Sequence, residues 1–193
     1  MNKKNILYVG LGGAGANVVK MAFPDKLTKK NSLLINTDKK ALEEEKGIPT
    51  LLIGEKVLNG RPAGDVAFGS KAIDESIDEI SNIFQQYEEI AIICGVGGTG
   101  GAVIHLVEKL LNLNFFIGIF LLYPQDFENE RMTRAKGLIL HAESIQSERV
   151  HFQVLRPSTY ADKCKGLTPL SNYFDCMNKL MINSVIAKEK SDR

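Results

Sequence analysis

Runs of aliphatic residues recur along the chain, and most of them are apolar throughout instead of alternating with polar positions. Continuous apolar runs are typical of strands that are buried on both faces, as in a parallel sheet covered by helices on each side. Such runs occupy residues 6–9, 32–35, 51–53, 90–94, 115–122 and 150–155. We therefore predict a strand at each of these positions.

Between the predicted strands, apolar residues recur at steps of three and four, which is the spacing of one face of an α-helix. Two such stripes consist of Ile73, Ile77, Ile80 and Phe84, and of Val103, Leu106, Val107, Leu110 and Leu111. The alternation of strands and helices predicts an α/β fold of Rossmann-like type. Its sheet is expected to be doubly wound and mainly parallel, with helices on both faces.

A last apolar stripe runs from Pro169 to about residue 187. It predicts a helix with Pro169 in its first turn and Thr168 as its N-cap. At 1.5 Å per residue this helix would be roughly 28 Å long, enough to cross a domain. We therefore divide the chain into an α/β domain (1–168), which ends in a loop at 156–167, a long helix (169–187) and a charged tail (188–193).

Composition and charge exclude several classes of protein. Lys and Arg number 24 and Asp and Glu 23, and the formal net charge of +1 gives no reason to expect nucleic acid as a partner. No apolar stretch approaches the roughly 18–20 residues that span a bilayer. The three cysteines, Cys94, Cys164 and Cys176, contain no CxxC pair. We predict no disulfide framework, no metal site among the protein's own residues, and a location in the reducing cytoplasm.

The first glycine-rich segment follows a predicted strand and precedes a helix predicted at 16–21. It comprises Gly10, Gly12, Gly13, Ala14 and Gly15, in the spacing GxGxxG. This spacing lets a backbone approach phosphates while the N-terminus of a helix supplies N–H donors. Asp38 lies about where a dinucleotide fold places its ribose-binding acid. An NAD-binding domain is thus one interpretation, and glycines that only make a tight turn are another.

A second glycine-rich segment favours a different nucleotide. It follows the strand at 90–94 and comprises Gly95, Gly97, Gly98, Thr99, Gly100 and Gly101. Two strand–glycine–helix units place two amide-lined loops at the same edge of the sheet. A nucleoside triphosphate benefits from both loops, whereas a dinucleotide needs only one. The pattern GxxxxGK[ST] does not occur, so a Walker A loop is excluded.

Several motifs together resemble the tubulin/FtsZ family of polymerising GTPases, and the bacterial FtsZ branch most closely. Residues 10–17 (GLGGAGAN) are similar to the family's first phosphate loop, 36–42 (NTDKKAL) to its NTDxxAL, and 95–101 (GVGGTGG) to its GGGTGTG signature. Residues 60–65 (GRPAGD) resemble the loop that senses the γ-phosphate, and 127–131 (FENER) resemble a segment that contacts ribose and phosphates.

The resemblance implies that the chain binds GTP or GDP, with Mg²⁺ accompanying the triphosphate. It assigns phosphates to the two glycine loops and Asn17, and the γ-phosphate to the loop with Ala63, Gly64 and Asp65. It puts Asn36 or Asp38 near the ribose, Glu128 and Arg131 on ribose and phosphates, and Phe174 and Asn178 at the guanine base. The family's base-contacting asparagine before the long helix has no clear counterpart, and Arg156 or Ser158 falls there.

Three of these residues have a second interpretation. Asp65 either reaches phosphate-bound Mg²⁺ through water or is a plain turn aspartate. Asn17 caps the first helix, contacts a phosphate, or does both. Asn178 reads the base or is an exposed polar residue of the helix.

The resemblance also bears on catalysis. Family members continue past the long central helix into a loop of catalytic acids that acts on the nucleotide of a neighbouring subunit, and then into a second domain. Residues 1–193 are therefore expected to hold half of a GTPase site and to turn over little GTP alone. They would be a domain of a longer filament protein that serves cell division or a related process, or a short form that regulates a full-length partner. The alternatives are an interaction module that has lost nucleotide, and an NAD(P)-dependent protein.

Overall fold

The computed structural model describes residues 5–125 and 127–191, and its centre is a six-stranded sheet. The strands are β1 (Ile6–Leu11), β2 (Ser32–Asn36), β3 (Thr50–Leu52), β4 (Glu89–Cys94), β5 (Phe116–Leu122) and β6 (Val150–Leu155). They lie in the order β3-β2-β1-β4-β5-β6, and every neighbouring pair is parallel. The predicted doubly wound, parallel sheet is confirmed, and each predicted run forms a strand.

The helices connect these strands in alternation. They are α1 (Gly12–Lys20), α2 (Lys39–Glu43), α3 (Glu55–Leu58), α4 (Val66–Phe84), α5 (Gly98–Gly101), α6 (Val103–Leu110), α7 (Asn129–Ser144), α8 (Ser158–Cys164) and α9 (Leu170–Ser191). The first helix begins at Gly12, four residues before the predicted start, because the glycine loop itself forms the first turn. The last helix extends to Ser191, four residues beyond the predicted end.

Two apolar cores form, one on each face of the sheet. Ile73, Ile80 and Phe84 of α4 belong to the first, which α6 and α7 complete. Residues of α1, α8 and α9 form the second, where Ile182 of α9 is fully buried. Strands with apolar side chains on both faces require this arrangement, since each face must be removed from water. The prediction of helices on both faces is therefore confirmed.

Two local predictions are wrong. Residues 156–167 were expected to form a loop, but α8 occupies Ser158–Cys164. This helix buries only Cys164, so it carries no apolar stripe that periodicity detects. Thr168 was expected to cap α9 with its hydroxyl, whereas its carbonyl accepts a hydrogen bond from Nδ2 of Asn172 at 2.9 Å.

The expectation that the cysteines are unpaired is also wrong. Cys164 at the end of α8 and Cys176 in α9 form a disulfide, with their Cα atoms 5.8 Å apart. The turn between α8 and α9 brings the two cysteines together, and no periodic pattern of apolar residues had predicted α8. Cys94 has a free thiol, and complete burial raises its pKa to about 12. Across residues 5–125 and 127–191, no helix is both long and apolar enough to cross a membrane.

Candidate functional site

A cleft of about 900 Å³ lies at the carboxyl ends of the central strands. Its floor consists of the loops that follow β1 and β4, which are neighbours in the sheet. The connections of β1 and β4 lead to opposite sides of the sheet, so this edge is the point where the strand order reverses. Ligands of open α/β sheets bind in the crevice at such a point. The volume lies within the range of small-molecule sites.

The two glycine loops contact each other beneath this cleft. Gly12 has a φ of +72°, and a Cβ there would lie 2.9 Å from the backbone nitrogen of Gly100. Only glycine satisfies both conditions without strain. Gly13 and Gly97 differ, because a Cβ on either residue would meet nothing within 4 Å. Their backbones therefore face open space in the cleft.

The start of α1 offers unpaired N–H groups to this space. Leu11 precedes α1 and provides no side-chain hydrogen bond to it. The first amides of any helix lack a carbonyl partner within the helix, and they carry the positive end of its dipole. Gly13 and Ala14 of this first turn line the cleft. This wall is suited to an anion held by backbone amides.

Most of the predicted site residues line the cleft. They are Gly12, Gly13, Ala14, Asn17, Asn36, Asp38, Ala63, Gly64, Gly95, Gly97, Gly98, Thr99, Gly100, Glu128, Arg131, Phe174 and Asn178. Gly10, Gly15, Gly101 and Asp65 do not. The residues that line the cleft are placed to face a ligand, whereas the four that do not line it support the loops.

The three glycines outside the cleft are required by packing. A Cβ on Gly10 would lie 2.8 Å from Cα of Ala16, and one on Gly101 would lie 2.8 Å from Cγ2 of Val66. A Cβ on Gly15 would overlap the carbonyl oxygen of Ile93 in β4. Gly10 and Gly15 let α1 approach the sheet, and Gly101 lets α5 approach α4, so the three glycines shape the loops without facing the cleft.

A buried polar network joins three segments behind the cleft. The hydroxyls of Thr37 and Thr99 lie 3.0 Å apart, and the backbone nitrogen of Ala63 donates to Oγ1 of Thr37 at 2.9 Å. Oδ1 of Asn36 accepts from the backbone nitrogen of Thr37 at 2.9 Å and from Oγ1 of Thr99 at 3.4 Å. The Thr99 hydroxyl donates its proton to Asn36, so Thr37 donates to Thr99. The network fixes the β2, α4 and α5 loops relative to one another.

The segment at 63–65 divides between the cleft and a helix. Ala63 and Gly64 line the cleft, and Gly64 has a φ of +71° with no atom within 4 Å of a Cβ. Asp65 is the N-cap of α4, and its Oδ1 accepts from the backbone nitrogen of Phe68 at 2.9 Å. The turn interpretation of Asp65 therefore fits its position outside the lining of the cleft.

Asn17 and Asp38 also show which of their alternatives fits. Asn17 is the sixth residue of α1, exposed and lining the cleft, so it does not cap the helix. Asp38 lines the cleft and caps α2, with its Oδ1 accepting from the backbone nitrogen of Ala41 at 3.2 Å. One oxygen of Asp38 thus has a structural partner within α2.

The segment before α7 forms another part of the rim. Glu128 and Arg131 are joined by an ion pair, and Oε2 of Glu128 accepts from the backbone nitrogen of Gln125 at 2.9 Å. The side chain of Arg131 is 62% exposed. Tyr123, Gln125 and Phe127 line the same rim and were not predicted as site residues.

The first half of α9 forms the remaining wall, which we call the α9 wall. It consists of Ser171, Phe174, Asp175, Met177, Asn178 and Met181. Ser171, Phe174, Asp175 and Asn178 follow the steps of three and four that place residues on one helix face. That spacing would have identified Asp175 as a site residue, which sequence reasoning missed. Among the described residues, the side chains of Asp175 and Asn178 have no hydrogen-bond or ion-pair partner.

The segment between β6 and α8 contributes less than the sequence indicated. Pro157 lines the cleft, whereas Arg156 and Ser158 do not. The guanidinium of Arg156 lies 4.4 Å from the ring centroid of Tyr123, over its face. Neither residue therefore replaces the base-contacting asparagine.

Charged side chains are sparse around the cleft. Lys20 lines it but forms an ion pair with Glu45 at 2.7 Å, and Arg131 pairs with Glu128. Backbone amides are therefore the main free donors toward the floor. No group of three or more His, Cys, Asp or Glu residues suited to a metal occurs within the part of the chain that the structure describes.

Comparison with known proteins identifies the family. A model of the GTPase domain of the Tubulin/FtsZ family matches residues 5–151, which is more than half of the chain. The chain belongs to the tubulin/FtsZ family. The matched residues include both glycine loops and all strands except the end of β6.

Individual relatives agree with this membership. Cell division protein FtsZ 1 of Methanocaldococcus jannaschii is 35% identical over 100 residues, which are 51% of this chain and 28% of that protein. Cell division protein FtsZ 2 of Halobacterium salinarum is 27% identical over 184 residues, which are 93% of this chain and 46% of that protein. The aligned residues thus span less than half the length of these relatives.

Solved structures give the same result. An empty FtsZ dimer from M. jannaschii superposes with a TM-score of 0.81 at 26% identity, covering 95% of this chain and 54% of that chain. CetZ2 from Haloferax volcanii, in a GTPγS-bound protofilament, gives 0.74 at 18% identity, covering 94% and 57%. The second likeness is one of fold alone.

Proposed function

We propose that this chain is the guanine-nucleotide-binding domain of an FtsZ-like cytoskeletal protein and that its cleft holds GTP or GDP. The single observation that carries the proposal is the uncapped start of α1 beside Gly13 and Gly97, whose backbones border open space. A triphosphate needs such space together with N–H donors, and a side chain at either glycine would occupy it. Family membership supplies the chemical class of the ligand.

We assign the parts of the nucleotide to the walls of the cleft as follows from their chemistry. The phosphates lie against the first turn of α1 and the loop from Gly95 to Gly100, with Asn17 beside them. Asn36 and Asp38 lie near the ribose, and the Glu128–Arg131 pair opens to contact ribose and phosphate. The α9 wall takes the base. Guanine carries N–H donors at N1 and N2, for which Asp175 and the amide oxygen of Asn178 are suitable acceptors.

Mg²⁺ is proposed as a companion of the triphosphate. This ion retains several waters and binds phosphate oxygens together with few protein ligands. A cleft floor built from backbone amides is consistent with that arrangement. When bound, the ion would neutralise phosphate charge, while the chain's own amides orient the phosphates.

Three further parts of the proposal concern hydrolysis, partners and location. Phosphoryl transfer to water needs a positioned water as well as neutralised phosphates, and the glycine loops supply only the second requirement. We propose that residues 1–193 alone turn over little GTP.

We propose a second copy or a full-length FtsZ-like protein as the partner, cell division or a related filament process as the role, and the cytoplasm as the location.

Titration calorimetry with GTP, GDP, ATP and NAD tests the central proposal, with Gly13→Asp as the decisive variant. The added carboxylate would enter open space and repel phosphate, so we expect GTP affinity to fall about 100-fold or more. Gly137→Asp is the matched control, because Gly137 also has open space around it but lies in α7 away from the cleft. It should leave GTP affinity unchanged.

Other outcomes would count against the proposal. Tight NAD binding without guanine nucleotide binding would favour a dinucleotide protein. Retention of a partner by a chain that binds no nucleotide would favour a nucleotide-independent module. Equal GTP affinity in the two aspartate variants would remove the assignment of phosphates to α1.

A further inference from the structure

The disulfide between Cys164 and Cys176 lies directly behind the α9 wall. Cys176 is flanked along the chain by Asp175 and Met177, and both of these neighbours line the cleft. Cys164 is fully buried in the core that α1 and α9 share. The bond therefore anchors the part of α9 that forms the wall to a fixed point in the core.

Apart from Tyr173, which is partly buried and packs against the core, few other contacts hold this part of α9. None of residues 170–175 is buried, and Leu170 and Phe174 are 66% and 38% exposed. The buried residues of α9 begin at Met177. The hydrogen bond from Tyr160 to Ser184, which also joins α8 to α9, lies two turns beyond Cys176 at 3.1 Å. The wall residues before Met177 thus depend on the disulfide more than on burial.

The floor of the cleft has no such dependence. The glycine loops belong to α1 and α5, which contact each other at Gly12 and Gly100, and the buried Asn36–Thr37–Thr99 network links α5 to the end of β2. A change at Cys176 leaves these contacts in place. An experiment can therefore change the α9 wall while the floor of the cleft stays as it is.

We propose that Cys164 and Cys176 are positioning residues whose disulfide holds the α9 wall against the base, so that nucleotide affinity depends on their redox state. This inference rests on the proposed function. Disulfides of cytosolic proteins in mesophilic organisms are commonly transient and redox-sensing, and such a role fits a bond that lies beside the α9 wall of the cleft. Reduction leaves the phosphate contacts intact and loosens the contacts to the base.

The reductant is a dithiol, which reduces the Cys164–Cys176 bond by two steps of thiol–disulfide exchange. Its thiolate attacks Sγ of Cys176, the partly exposed member of the pair, and Cys164 leaves as a thiolate that takes up a proton. The second thiol of the reductant then attacks the reductant's sulfur in the mixed disulfide, and Cys176 leaves and takes up a proton to become a thiol. Two electrons and two protons pass to the protein, and the reductant becomes a cyclic disulfide.

The test compares oxidised protein with protein reduced by dithiothreitol, using GTP and inorganic triphosphate as ligands. Thiol titration of samples unfolded in guanidinium chloride, which exposes the buried Cys94, should find one free thiol before reduction and three after it. We expect reduction to weaken GTP binding about tenfold, the scale set by ordering the side chains of the wall. The affinity for inorganic triphosphate should stay the same, a result that a general loss of structure would not produce.

Two variants separate positioning from stability. The double variant C164A/C176A should bind GTP like the reduced protein and should not respond to dithiothreitol. Cys94→Ala retains the disulfide and should keep the tenfold response. Circular dichroism in both states shows whether the fold persists, and the measurement on reduced wild-type protein stands even where the double variant does not fold.

The remaining outcomes would overturn either the redox inference or the proposed function, and they can be told apart. Three free thiols in protein purified without reductant, or equal GTP affinity in both states, would overturn the redox inference and leave nucleotide binding intact. Equal weakening of GTP and triphosphate would show a global effect and would also overturn it. Failure of both ligands to bind in either state would overturn the proposed function itself.

Discussion

The floor of the cleft and its α9 wall are built in opposite ways. The floor is backbone, enclosed by buried contacts in which several glycines leave no room for a methyl group. The wall is made of side chains on a helix whose first turns are exposed and whose anchor is a disulfide. A floor of this kind suits a ligand part that never changes, such as phosphate, whereas a wall of side chains is where selectivity for the rest of the ligand resides.

The largest effect should come from filling the floor. Gly15→Ala places a methyl group on the carbonyl oxygen of Ile93, and we expect the free energy of unfolding to fall by about 2–3 kcal/mol. Gly13→Ala, two residues away in the same helix, has open space and should raise the free energy of unfolding by about 0.5–1 kcal/mol. Urea denaturation of both variants measures the difference. Equal stabilities would show that the floor is not packed as tightly as its contacts indicate.

The next effect concerns the wall. Phe174→Ala removes an aromatic face available to a base, and stacking of this kind is worth about 1–3 kcal/mol. We expect GTP affinity to fall about tenfold while inorganic triphosphate binds as before. Leu170→Ala is the control, since Leu170 is exposed on the same helix and does not line the cleft. A parallel loss of triphosphate binding would contradict the assignment of the phosphates to the floor and of the base to the α9 wall.

The smallest effect is one of selectivity. Asp175→Asn replaces one of the two acceptor oxygens of the carboxylate that we assign to guanine with an NH2 donor, so the preference for GTP over inosine triphosphate, which lacks the 2-amino group, should fall about fivefold. Asp162→Asn in α8 is the control, because Asp162 is exposed and outside the cleft. Competition binding with both nucleotides measures the ratio. An unchanged ratio in the Asp175 variant would remove this residue from base recognition.

The strands, the class of fold and the position of both glycine loops could all be predicted from the amino-acid sequence. Burial on both faces leaves a local record in continuous apolar runs, and a loop that approaches phosphate leaves one in its glycines. The order of the motifs was enough to indicate the family. Each of these signals depends on residues that are close together in the chain.

The roles of individual residues within these segments became clear from their contacts in the folded protein. Gly15 and Gly13 look alike in sequence, yet one is pressed against β4 and the other faces the cleft. Asp65 turned out to cap α4, and Cys164 and Cys176 turned out to be joined across a helix that periodicity did not reveal. These distinctions arise from contacts between distant segments, and no local pattern of apolar and polar residues records them.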